Sequence, residues 1–199
     1  MQETHVDVDS RRTAALALWR YSHDYLKAAQ ALCETNSIAC NESQAPYHLA
    51  AQGIEFALKS FLRARGVTPE DLSLRIRHSL PDALQEALAR GLSPPPDGVA
   101  RAIRFIAPHH RDDQFRYFVV SHGEFPDLTP LLGAGTWILG EIAAEVVADY
   151  FVCHGHRSAT ASDDMLRRLQ VDLELTASRV RSLQQSGRAH RQSSTGNRT

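Results

Sequence analysis

The chain has 199 residues, 43% of them apolar, 23% charged and 7% aromatic, with a formal net charge of −1. That length suits one domain of average size, and the apolar share excludes a wholly disordered or fibrous chain. The near-neutral total gives no globally basic nucleic-acid binder, but the charge is unevenly placed. Residues 1–175 hold 17 cations and 23 anions, whereas residues 176–199 hold five arginines and no acid. The body is acidic and the tail basic. Such a tail can contact phosphates in a salt-dependent way or fold back onto the acidic body. Of the 22 cations, only Lys27 and Lys59 are lysines.

The apolar period is helical almost throughout. Ser10 is a candidate N-cap for a first helix reaching about Asn36, with Leu16, Trp19, Leu26 and Ala29 in its core. Pro46 sits in the first turn of a second helix, which Gly66 stops. Thr68-Pro69-Glu70-Asp71 opens a short helical turn, and Pro81 starts a third helix ending at Gly91. After the rigid Ser93–Gly98 connector a fourth helix covers residues 99–107, broken by Pro108. Phe115–Val120, rich in aromatic and β-branched residues, is a candidate extended piece. Thr129-Pro130 begins a long fifth helix ending near Gly155. A further amphipathic helix runs from about Ser162 to Gln185, with Leu166, Leu169, Val171, Leu173, Val180 and Leu183 on its apolar side. Residues 186–199 have the composition of a disordered tail.

The expected class is all-α: an antiparallel four- to five-helix bundle over residues 10–155. A flexible arm precedes it over residues 1–9, and a C-terminal helix with its basic tail follows over 156–199. Cys33, Cys40 and Cys153 match no metal or disulfide framework, so a reducing cytoplasm is expected. Neither a secretory leader nor a membrane span is expected, since the apolar stretch 131–152 carries Glu141, Glu145 and Asp149.

The second helix carries the most information. Tyr47, Ala51, Ile54, Leu58, Phe61 and Leu62 project to one apolar face, and Leu49, Gly53, Phe56, Ser60 and Ala64 to another that admits close helix approach. Between them His48, Gln52, Glu55, Lys59 and Arg63 align in a polar seam, with Glu55 and Lys59 in the favourable ion-pair order. Such a seam is either a solvated helix edge or the lining of a groove, with His78 nearby.

The run Tyr47–Leu62, then Gly66, then His78-Ser79-Leu80 and Leu84 resembles the HEPN domain family. Phe115-Arg116-Tyr117 is similar to the Arg-Tyr near the last core helix of many such proteins. The resemblance spans roughly residues 10–155. It implies a helical bundle, often a homodimer, associated with RNA cleavage, toxin–antitoxin pairs or nucleotidyltransferase-like partners. In the family's active ribonucleases an Arg is followed by a His a few positions on, and two dimer-related copies build the site.

Metal-independent RNA cleavage needs a group to take the 2′-hydroxyl proton and a cation for the phosphorane, roles suited to His and Arg. Arg104 with His109, and Arg116 with His122, have compatible spacing. Both depart from the family pattern: Phe105 replaces a polar residue and Pro108 interrupts the first pair, and the second, with a partly polar Tyr117, lies in a segment that does not read as a helix start. His109-His110-Arg111-Asp112-Asp113 holds metal-capable atoms, but adjacent residues point apart and no matched second pair appears. Cys153-His154-Gly155-His156 reads as a helix C-terminus favouring His over a metal site. Glu141, Glu145 and Asp149, which resemble half a metal site, read as a solvated face of the fifth helix. No metal and no cofactor is therefore expected. The sequence reading favours a HEPN-like binding module for RNA, a nucleotide or a protein partner, with His48, Gln52, Glu55, Lys59 and His78 lining its groove. A metal-independent endoribonuclease is the first alternative. An interaction protein acting through its C-terminal helix is the second.

Overall fold

The computed structural model describes residues 14–35, 43–111, 127–153 and 159–195. Among the described residues seven α-helices follow one another: α1 (Ala15–Thr35), α2 (Ala45–Ala64), α3 (Pro69–Asp71), α4 (Leu80–Ala89), α5 (Asp97–Arg111), α6 (Thr129–Cys153) and α7 (Ala159–Thr195). A π-helical turn, Leu72–Ile76, extends α3. No strand occurs among the described residues, and Phe115–Val120 and Ser10 lie outside them. The architecture is an all-α bundle.

Local signals set most helix ends. Thr68 Oγ1 accepts from the Asp71 amide and Ser79 Oγ from the Asp82 amide, satisfying donors that the first turns leave open. Gly66 and Gly91 end α2 and α4 with φ of 80° and 96°, a conformation that side chains resist. Pro108 does not end α5, which continues to Arg111. Pro108 and Arg104 are both exposed, so the carbonyl that loses its amide partner lies on the watered side of the helix. The C-terminal helix likewise runs past Gln185 to Thr195, since Arg, Gln and Ala there tolerate helix and only Gly187 opposes it.

The core lies between α1, α2 and α6. Leu16, Trp19, Leu26 and Ala29 are buried as their spacing predicts, as is the Tyr47–Leu62 apolar face of α2. Leu26 fills a notch made by two glycines on different helices. A Cβ at Gly135 of α6 would fall 2.6 Å from Leu26, and one at Gly53 of α2 would fall 2.8 Å from it. Trp19 Nε1 donates to the Leu139 carbonyl at 3.1 Å, tying α1 to α6. The small-residue face of α2 is taken up within the chain: Ser22 Oγ donates to the Gly53 carbonyl and Ser60 Oγ to the Ala15 carbonyl, each at 2.7 Å. Gly53 and Ser60 therefore serve α1 of the same chain.

The α7 helix packs on α6 and α1 through Leu169, Leu173, Thr176 and Val180. Val171 and Leu175 remain exposed, and the side chain of Leu183 lies outside the described set. Of the described helices, α6 alone is long and apolar enough to cross a membrane; 56% of its most apolar window is buried in the bundle. Cys33 is disulfide-bonded, which corrects the expectation of unpaired cysteines and removes the thiol argument for a reducing compartment. Cysteine spacing does not encode the approach of about 4.4–6.8 Å between Cα atoms that a disulfide needs. Cys153 is free and exposed, and Cys40 lies outside the described residues.

Candidate functional site

Four side chains meet where α2, α5 and the link before α4 converge. Glu55, on α2, is the centre and is 1% exposed. Lys59, one turn along, donates to Glu55 Oε1 at 2.5 Å. His110, near the end of α5, faces Glu55 Oε2 through Nε2 at 2.5 Å and is itself buried. His78 Nδ1 lies 3.2 Å from both carboxylate oxygens, with its side chain 55% exposed. His48, half-buried one turn before Gln52 on α2, stacks loosely on His110 at 6.5 Å between ring centres.

The backbone that delivers His78 is unusual. A π-helical turn closes with the Arg77 amide donating to the Leu72 carbonyl at 2.8 Å. Arg77 then takes φ 52° and ψ −119°, a region that a residue with a side chain occupies at a cost of about 1–3 kcal/mol. These two features turn the chain so that the next residue, His78, points at Glu55. π-turns and strained residues of this kind concentrate at working sites.

Burial pushes the Glu55 carboxyl up, but the hydrogen bond from His110 and the charge and hydrogen bond of Lys59 outweigh it and hold it near 2, below the ordinary 4.5. Glu55 is thus a buried carboxylate anion with up to three donors. An ion with so many partners keeps its charge. The open side of the cluster is the one on which His78 emerges.

The sequence-predicted groove residues divide accordingly. Glu55, Lys59 and His78 come together and His48 stands beside them. Gln52 is half-buried on the same helix with no hydrogen bond to the cluster among the described residues. The seam is a nearly closed polar knot, not a solvated helix edge. His110 is the member missing from the predicted groove. Its signal was the stripe Ile103, Ile106, His110 at spacings of three and four, hidden by reading Pro108 as the helix end.

Within one chain, Arg104 and His109 point apart. Arg104 is exposed, and His109 packs at 6.0 Å against Phe105 on its own helix. Residues five apart on a helix differ by about 140° in direction, so these two side chains diverge. Arg116 and His122 lie outside the described residues. On α6, Glu141 is exposed, Glu145 pairs with Arg65 at 3.1 Å, and Asp149 accepts from the Cys153 thiol at 3.7 Å.

A second polar feature lies between α1 and α7, a cleft of about 360 Å³ lined by His23, Lys27, Glu34, Asp172, Thr176 and Arg179 among others. Its two cations and two anions balance. The chain matches no protein-family model, no curated protein and no solved structure.

Proposed function

We propose that the chain is a HEPN-like binding module, taking RNA, a nucleotide or a protein partner at the face where His78 emerges, without catalysis of its own. One observation carries this reading. Glu55, Lys59 and His78, the residues on which the resemblance rests, meet across 23 positions of sequence, and the chain spends a strained residue on the meeting. His78 gives the face an exposed imidazole that can donate to phosphate, and Lys59 sets a cation behind it. In this reading the protein is a homodimer with a nucleotidyltransferase-like partner. The dimer draws on the resemblance alone, since the small face of α2 is occupied by α1. Light scattering at micromolar concentration is expected to give twice the chain mass, and a monomer refutes the dimer.

The binding test uses fluorescence anisotropy with single-stranded RNA and with ATP, comparing the parent with His78→Ala and Lys59→Ala. His78→Ala is expected to weaken binding at least about tenfold, the scale of one charge-assisted hydrogen bond. No binding by the parent, or binding by both variants as tight as the parent's, sinks the RNA and nucleotide forms of the reading. Incubation of the parent with RNA and a chelator is expected to leave the RNA intact. Cleavage that His109→Ala abolishes would replace this reading with the endoribonuclease.

A further inference from the structure

The polar knot at Glu55 holds more ligand atoms than an ion pair needs. Lys59 alone neutralises Glu55, yet imidazoles from two other segments are brought to the same carboxylate. One ring nitrogen each of His78 and His110 and a carboxylate oxygen of Glu55 all lie within 4.8 Å of one another. We propose that Glu55, His78 and His110 form a binding site for a divalent transition-metal ion, with two imidazoles and one carboxylate as its protein ligands.

The donor set fits that chemistry. Two imidazoles and a carboxylate suit Zn²⁺ and its first-row neighbours, and exclude neither a water nor an anion at a remaining position. Ligand atoms around a tetrahedral ion at about 2.1 Å sit roughly 3.4 Å apart. His78 Nδ1 is already 3.2 Å from Glu55 Oε2, while the 2.5 Å from His110 Nε2 must open by under about 1 Å. Lys59 holds Oε1, so Oε2, which both imidazoles already face, is the oxygen that would turn to the ion. With His78 more than half exposed, the ion's remaining position faces solvent, the arrangement of open rather than purely structural sites.

Two features set the strength. The nitrogen that does not ligate normally donates to a fixed acceptor. His78 has solvent for this, but His110 Nδ1 is buried without a hydrogen-bond partner among the described residues. The Lys59 ammonium also repels a dication beside it. Both lower the affinity, and the second yields a discriminating variant, because removing the Lys59 charge strengthens metal binding while weakening an ordinary ion-pair network.

The inference goes beyond the binding-module reading and needs no nucleic acid. The full-length protein, dialysed against chelator, is titrated with Zn²⁺ alone by calorimetry, and its Co²⁺ form is followed by visible absorption. One equivalent of Zn²⁺ is expected per chain, with His78→Ala weakening it at least about 100-fold, beyond the 10- to 100-fold lost with an outer-shell partner. Lys59→Met is expected to tighten it at least about tenfold. His78 is exposed, so His78→Ala retains the fold, as far-UV circular dichroism checks. Failure of the parent to take up one equivalent at about 0.1 mM free Zn²⁺ overturns the proposal. So does unchanged binding in His78→Ala, including uptake that is instead lost from a Cys153→Ser, His154→Ala, His156→Ala variant. If RNA or nucleotide binding persists while Zn²⁺ binding fails, this proposal alone falls.

Discussion

His110 on α5 and His23 on α1 are 5% and 6% exposed, so both imidazoles are inside the protein. Their surroundings differ in kind. His110 faces the Glu55 carboxylate, whose charge is held by several donors. His23 faces the Thr176 hydroxyl at 3.0 Å, and that hydroxyl already donates to the Asp172 carbonyl, which leaves it to accept from His23 Nε2–H. Burial first, and then the nearby Lys27 charge, lower the His23 pKa below 6.5. One histidine therefore belongs to an ionic knot and the other to a neutral contact sealing α7 onto α1. A charged knot is costly to break at its buried anion, because removing Glu55 leaves the Lys59 ammonium inside without its partner. A neutral pair loses one hydrogen bond.

Glu55→Ala is the harshest break of this contrast. It strands Lys59 and His110 around a missing carboxylate and is expected to cost about 3–5 kcal/mol by urea unfolding. A loss under about 1 kcal/mol, the exposed-pair scale, would mean that the knot carries no buried charge.

Acid separates the two regions in a second way. The folded Glu55 carboxyl titrates near 2 against 4.5 when unfolded, so its stabilising contribution is full above 4.5 and is lost as pH falls from 4.5 to 2. His23 is lowered from 6.5, so below that pH the unfolded chain takes up a proton that the folded chain refuses. Stability is expected to begin falling near pH 6.5 and to fall again below 4.5. His23→Gln is expected to flatten only the earlier loss. Superimposable profiles for parent and variant between pH 7 and 5 would place the early titration elsewhere.

Thr176→Val tests the neutral side directly. It removes the acceptor while keeping the shape and is expected to cost about 1–3 kcal/mol, less than the Glu55 change. The mildest expectation concerns an exposed ion pair, Arg65 with Glu145, where Glu145→Ala should change stability by under about 1 kcal/mol and by less in high salt. If Glu145→Ala exceeds Thr176→Val, burial does not set the ranking proposed for these contacts.

Some of this was legible in the residues. The Glu55-to-Lys59 spacing of four forces the two onto one helix edge whatever the fold, and the pair forms. Gly66, Gly91, Thr68 and Ser79 mark helix ends by chemistry that acts within a few residues, and they act there. The face of Gly53 and Ser60 was readable as a place of close approach, but the approaching helix was not. It is α1 of the same chain, chosen by how Leu26 fits between Gly53 and Gly135. His110 stands outside the expected groove because proline ordinarily ends a helix, whereas an exposed carbonyl at Arg104 makes the interruption tolerable.

The sequence by itself determined the all-α class, most helix limits and the polar edge of α2, because periodicity, caps and i,i+4 pairs depend on neighbours along the chain. Tertiary structure decided that the edge is a buried knot with His78 and His110 brought to Glu55, and that α7 is sealed onto α1 by Thr176. Those outcomes depend on which helices touch and at what depth. Burial then decides whether a carboxylate beside an imidazole is an ordinary surface pair or a site.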